Sequence, residues 1–147
     1  MVLGDMREKI VFCGHGGSGK STYTQRLLSD KFESKYIHTE GISVKSYDYN
    51  EVGYDIWDIG GQYYYSTDKE HVYGDTSTVC VFFDGSNKRG KMYAKGYTKM
   101  IRSVNSNCDI YYVRTKTDLT QKAPYVEDQI LISTRTNNNM YEIFNNL

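Results

Sequence analysis

The sequence predicts an α/β fold: a mostly parallel six-stranded sheet with helices on both faces. Three observations carry the prediction. Short apolar runs of strand length alternate with segments whose apolar residues recur at the helical period. The first run ends in a glycine-rich stretch, "GHGGSGKST" at residues 14–22, that leads directly into a helical pattern. At 147 residues the chain suits one hydrophobic core better than two. Alternation of strands with helices implies right-handed crossovers and a sheet buried on both sides.

The elements follow in order. "KIVFCG" (residues 9–14) is an apolar run closed by glycine, the pattern of a buried strand, and "STYTQRLLSDK" sets Tyr23, Leu27 and Leu28 on one side of a helix. "ISVKSYD" and "VGYDIWD" read as two strands joined by a turn around Asn50 and Glu51, the one hairpin of the fold. "TVCVFFD" is a further buried strand. After it, Met92/Tyr93, Tyr97, Met100/Ile101 and Val104 predict a long helix over residues 88–106. "DIYYVRT" and "ILIS" add two strands, and Met140, Ile143, Phe144 and Leu147 at i, i+3, i+4, i+7 predict a final helix. Internal repeats and linker-like stretches are missing, so residues 1–147 read as one domain.

Composition narrows the function classes. The 18 basic and 18 acidic side chains cancel, so no strongly basic field argues for nucleic acid. Cys13, Cys80 and Cys108 are odd in number, far apart and set in apolar runs, so reduced core thiols fit better than disulfides or a zinc site. The N-terminus has no apolar stretch of signal-peptide length, and the longest apolar run, "VCVFF", is too short to span a bilayer. Neither terminus carries a lipidation box. The expectation is a soluble cytoplasmic protein without an intrinsic membrane anchor. Tyrosine is abundant at 15 copies and serves cores and interfaces equally well.

Gly14-His15-Gly16-Gly17-Ser18-Gly19-Lys20-Ser21 matches G-x-x-x-x-G-K-[ST] in full, between a predicted strand and a predicted helix. Glycines let successive N–H groups curl around a phosphate, and the helix that follows, opening at Ser21 and Thr22, turns its positive end to the same anion. Lys20 would bridge the outer phosphates and Ser21 would ligate Mg²⁺. His15 holds a variable position and reads as a solvated loop residue. Such a P-loop reads phosphates and not the base, so other residues must choose the nucleotide. "WDIGGQ" offers three of them. Asp58 can hold the Mg²⁺ shell, Gly61 can present its N–H to a γ-phosphate, and Gln62 can orient the attacking water.

With these motifs the chain resembles a small GTPase of the Ras superfamily, whose second signature is D-x-x-G-Q; "WDIGGQ" is closest to the Arf-like branch. "TKTDL" (residues 115–119) is similar to the family's N/T-K-x-D base motif in its Rho-like form. The resemblance implies that the Asp118 carboxylate accepts from guanine N1–H and the 2-amino group, which adenine cannot satisfy. Lys116 would lay its stem along the base, with Thr115 opening the motif. Thr39, 18 residues after Ser21, matches the Ras-like threonine that adds a hydroxyl to Mg²⁺. Phe32 and Tyr36 fall on the guanine-packing aromatic and the phosphate-covering tyrosine. "STR", Ser133, Thr134 and Arg135, stands where the family has S-A-K, with the Thr134 N–H meeting guanine O6. Two departures stand out. Just 15 positions separate Asp118 from Ser133, so the fourth helix should give way to a loop around Pro124, and the last helix is short. Both losses remove core surface, which points to modest stability, dependence on nucleotide, or a partner or second copy over the bare face.

The resemblance implies a switch that binds GTP or GDP with Mg²⁺. Its segments 33–41 and 60–73 would be held by γ-phosphate contacts of Thr39 and Gly61 and freed on hydrolysis. Tyr63, Tyr64 and Tyr65 would offer an aromatic patch to an effector, or pack on the sheet. No arginine stands between Phe32 and Thr39, so unaided hydrolysis should be slow and an activating protein would supply the finger. Protein effectors and an exchange factor are implied as well. Two other readings remain: a GTP-binding scaffold that seldom hydrolyses, and, less well supported, a P-loop ATPase or kinase, whose lid arginines Arg89, Arg102 and Arg114 do not form.

Overall fold

The computed structural model describes residues 7–28, 41–61 and 69–147. Six strands, β1 (Arg7–Gly14), β2 (Ile42–Tyr49), β3 (Val52–Ile59), β4 (Thr78–Asp84), β5 (Asp109–Thr115) and β6 (Ile130–Leu131), form one sheet in the order β2-β3-β1-β4-β5-β6. β2 and β3 pair antiparallel; the other pairings are parallel. The helices among the described residues are α1 (Lys20–Leu28), α2 (Lys69–Tyr73), α3 (Gly90–Val104) and α4 (Glu142–Asn145). This is the mostly parallel, helix-flanked α/β architecture that the sequence predicts.

Burial on both faces explains why the central strands are continuous apolar runs. In β1 and β4, Val11, Cys13, Val79, Val81 and Phe83 join the core beneath α2 and α3. Ile10, Phe12, Cys80 and Phe82 join the opposite core with α1 and α4. The three cysteines are free and buried as expected, and burial pushes the Cys13 thiol up to about 12, so it does not act as a thiolate. The β2–β3 hairpin turns at Asn50 and Glu51, both left-handed at φ 49° and 66°, the geometry of a two-residue turn matched to strand twist.

Several elements differ from expectation. α2 lies inside the segment read as a switch, and its Val72 and Tyr73 are fully buried, so that segment's C-terminal end is part of the core. Met92 is not on the buried stripe of α3: it is 58% exposed, and Ala94, Tyr97, Met100 and Ile101 form the stripe instead. β6 contains two residues of the expected "ILIS". The final helix is a single turn and Leu147 lies outside it, exposed. Beside this short end a cavity of ≈ 500 Å³ opens, lined in part by Leu27, Tyr47, Tyr49 and Met140. Among the described residues no helix is long and apolar enough to cross a membrane.

The loop that replaces the fourth helix is organised by one side chain. Arg114, buried in β5, donates to the carbonyls of Ala123 (2.6 Å) and Pro124 (3.3 Å) and to Gln121 Oε1 (2.7 Å) and Gln129 Oε1 (3.2 Å). These acceptors are neutral, and burial lowers the guanidinium below its ordinary value. Arg114→Met is expected to orphan several of these acceptors and to destabilise the domain by about 2–4 kcal/mol, read from urea unfolding with the m-value unchanged.

Candidate functional site

The site gathers at the C-terminal edge of β1, β3, β4 and β5, where an open α/β sheet places its ligands. Gly14 ends β1, and the loop to α1 turns through Gly17 and Gly19 at φ +82° and +85°. A Cβ on Gly14 would stand 2.6 Å from the Phe82 carbonyl oxygen, and one on Gly19 would stand 2.8 Å from Thr115 Oγ1. Larger residues are shut out at these two positions by contact as well as, at Gly19, by conformation. The Ser18 N–H closes the turn on the His15 carbonyl at 3.0 Å. Ser18 and Lys20 are buried, while Ser21 and Thr22 are exposed at the first turn of α1, whose leading N–H groups have no helical acceptor.

Lys20 turns its ammonium onto the carboxylate of Asp58, and both side chains are largely buried. The β1–β3 register sets this pairing, since Asp58 lies beside Phe12 on the neighbouring strand. Three residues on, Gly61 approaches the loop so closely that a Cβ there would be 3.2 Å from the Gly16 nitrogen. Gly16 itself has open space in the direction of a Cβ. The Gly60 N–H donates to the Gly41 carbonyl at 2.6 Å, which clasps the end of β3 to the start of β2.

From the other side, the end of β5 is stitched to the same loop. Thr115 Oγ1 donates to the Ser18 carbonyl at 2.5 Å, and Lys116 Nζ donates to the Gly17 carbonyl at 3.0 Å and to Asp84 Oδ2 at 2.9 Å. Burial would raise the Asp84 carboxyl, but hydrogen bonds from Ser86 and Lys116 outweigh it and hold the carboxyl below its usual range. Its stabilising contribution is therefore present above the ordinary carboxylate range and is lost as acid takes the pH down through the lower folded value. Asp118 is oriented by Ser133, whose buried hydroxyl donates to Oδ1 at 2.8 Å, with Arg135 3.8 Å from Oδ2. The turn that carries Ser133, Thr134 and Arg135 closes through the Ser133–Asn138 bridge, with Asn137 and Asn139 left-handed at φ 58°. The asparagine run is thus a tight turn. Sequence reasoning left out Asp84 as the partner of Lys116, although an aspartate ending a buried strand was the available signal.

The fold therefore brings together residues 14–22, Asp58, Gly61, Thr115, Lys116, Asp118 and Ser133–Arg135. Phe32, Tyr36, Thr39, Gln62 and Tyr63–Tyr65 lie outside the described residues. The donor set fits a polyphosphate: glycine amides around a turn, a helix N-terminus and a buried ammonium. Hydroxyl and carboxylate oxygens from Ser21 and Asp58 suit a hard cation such as Mg²⁺, and among the described residues no cluster of His, Cys, Asp and Glu offers an alternative metal site. A carboxylate held in place by Ser133 can accept two parallel donors from a planar base. A family model described as "Ras of Complex, Roc, domain of DAPkinase" matches residues 9–118, about three quarters of the chain, from the first strand through Asp118.

Proposed function

The chain belongs to this Roc family of Ras-like GTPase domains, and on that premise we propose that it is a guanine-nucleotide switch that binds GTP and GDP with Mg²⁺ and hydrolyses GTP slowly. The observation that carries the reading is the joining of three motifs around one loop: Lys20 to Asp58, Lys116 to Gly17, and Thr115 to Ser18. Lys20 and the amides of residues 16–21 would hold the outer phosphates. Asp118, with the Thr134 N–H, would read guanine. Mg²⁺, when bound, supplies charge neutralisation between the outer phosphates, and Ser21, Asp58 and Thr39 would hold it.

Gly61 would meet the γ-phosphate and Gln62 would orient the attacking water. Gly16 leaves room for that glutamine and for an activator's arginine, while a side chain there would obstruct both. Effectors, an exchange factor and an activating protein would read segments 33–41 and 60–73; a partner or second copy would cover the face left by the one-turn α4.

Titration of the purified chain with fluorescent GDP, GTP and ATP analogues, followed by turnover, tests the reading. Tight guanine binding with hydrolysis supports it. Guanine binding without hydrolysis would favour the scaffold reading, for which the reduced helices speak. Preference for ATP overturns it. A kinase lid is disfavoured because Arg114 is committed to its own loop and Arg102 donates to the Cys108 carbonyl at 2.7 Å. Gln62→Leu is expected to keep GTP affinity within about twofold and to lower single-turnover phosphate release by ~10-fold or more. Equal release rates in the two proteins would remove Gln62 from the mechanism.

A further inference from the structure

We propose that His15 is a positioning residue for the phosphate loop and that Tyr93 of α3 holds it in place; the proposal rests on the guanine-nucleotide reading above. The His15 ring lies flat against the Tyr93 ring, with centroids 3.8 Å apart and planes 4° from parallel. Its Nδ1 is 2.9 Å from the Gly16 carbonyl oxygen. A carbonyl can only accept, so Nδ1 carries the proton in this contact. One turn along α3, the Tyr97 hydroxyl donates to the Gly14 carbonyl at 3.0 Å. The carbonyls on either side of His15 are thus both held by side chains, and α3 anchors both arrangements.

The consequence follows from peptide geometry. In a trans peptide unit the C=O and the following N–H point in opposite directions. Fixing the Gly16 carbonyl therefore fixes the direction of the Gly17 N–H, one of the loop's anion donors. This stretch needs an external hold. Gly16 has no neighbour within 4 Å of a would-be Cβ, and Gly17 sits at φ +82°. Two adjacent glycines flip their shared peptide easily, because neither orientation meets a Cβ. Lys116 holds the next carbonyl, that of Gly17, at 3.0 Å. Stacked on Tyr93, His15 keeps the preceding peptide from flipping, so the donors are aimed before nucleotide arrives.

The test compares fluorescent-GDP dissociation, with Mg²⁺ present, from the full chain and from Tyr93→Phe, Tyr93→Ala, His15→Ala and the His15→Ala/Tyr93→Ala double variant. Tyr93→Phe keeps the stack and should release GDP at the wild-type rate. Tyr93→Ala and His15→Ala should each speed release about five- to tenfold, the range a stacked ring pair supports. The double variant should be no faster than the faster single, since both remove one contact. His15 is exposed and, among the described residues, stacks on Tyr93 alone, so the nucleotide-free His15→Ala protein should lose no more thermal stability than nucleotide-free Tyr93→Ala. Wild-type release from either alanine variant, a Tyr93→Phe as fast as Tyr93→Ala, or multiplicative effects in the double variant would each overturn the positioning role while leaving guanine binding intact. A wild-type chain that retains no guanine nucleotide would overturn the underlying reading, and the positioning role with it.

Discussion

Lys20→Ala is expected to lose about 10²- to 10³-fold in affinity for both GDP and GTP, ~3–4 kcal/mol, measured by equilibrium titration. An ammonium that bridges two phosphates makes charge-assisted hydrogen bonds, each worth about 1.5–3 kcal/mol, and the upper end of their sum is not reached here. The reason is Asp58. In the free protein Lys20 is already paired with that carboxylate in a largely buried setting. Binding therefore exchanges one anionic partner for another, and the net gain is the difference between them. The variant also leaves the Asp58 side chain, 12% exposed, without its cation. The nucleotide-free protein should lose about 1–3 kcal/mol of unfolding free energy as a result.

The competition between Asp58 and phosphate for one lysine makes the result depend on magnesium. With Mg²⁺ present, Asp58→Asn removes a carboxylate proposed to hold the cation and should weaken nucleotide binding. In EDTA the same variant frees Lys20 and removes a negative charge beside the phosphates, so GDP should bind at least as tightly as to wild type. A variant weaker than wild type in both conditions would show that Asp58 does not restrain Lys20 in solution.

What the sequence made legible, and what it did not, divides along physical lines. The phosphate loop, "WDIGG" and "TKTD" were readable because close backbone approaches admit few residues: Gly14 against the Phe82 carbonyl, Gly19 against Thr115, Gly61 against Gly16. The central strands were readable because burial on two faces excludes polar residues from them. Five-residue α2 was not, since its apolar pair Val72 and Tyr73 spans less than one helical period. Met92 was placed on the α3 stripe because it adjoins Tyr93, but Ala94, too small to stand out in the pattern, marks the buried side. The purpose of the many tyrosines was hidden for a different reason. Tyr23 donates to the Met140 carbonyl at 2.6 Å, Tyr49 to Asn145 Oδ1 at 2.5 Å and Tyr111 to the Asn146 carbonyl at 3.3 Å. These long-range struts hold a C-terminal segment that lacks a long helix, and no local period encodes them. His15 is the exposed loop residue the sequence suggests, and its stack on Tyr93 was hidden for the same reason, because that ring lies in a helix far along the chain.

Asp118→Ala should collapse base selectivity while sparing phosphate binding. Wild type is expected to prefer GTP over ATP by ~10³-fold or more, because adenine leaves a carboxylate without donors at a site built to receive two. The variant should lose most of that ratio through weaker GTP binding, about 10²-fold or more, with ATP affinity nearly unchanged. The selectivity of the loss follows from how the segment 115–118, proposed to read the base, is attached. Thr115 and Lys116 hold the phosphate loop through the Ser18 and Gly17 carbonyls, and neither contact passes through Asp118. On the other side the buried Ser133 hydroxyl loses its acceptor at 2.8 Å, and the exposed Arg135 loses a carboxylate 3.8 Å away. Ser133→Ala tests that link: it leaves the Asp118 carboxylate in place but without its orienting donor, so it should reduce the GTP/ATP ratio by less than Asp118→Ala does. Competition titrations with GTP, ATP and inorganic pyrophosphate separate the contributions. Equal losses for pyrophosphate and GTP in Asp118→Ala would mean that the carboxylate supports the loop and not the base.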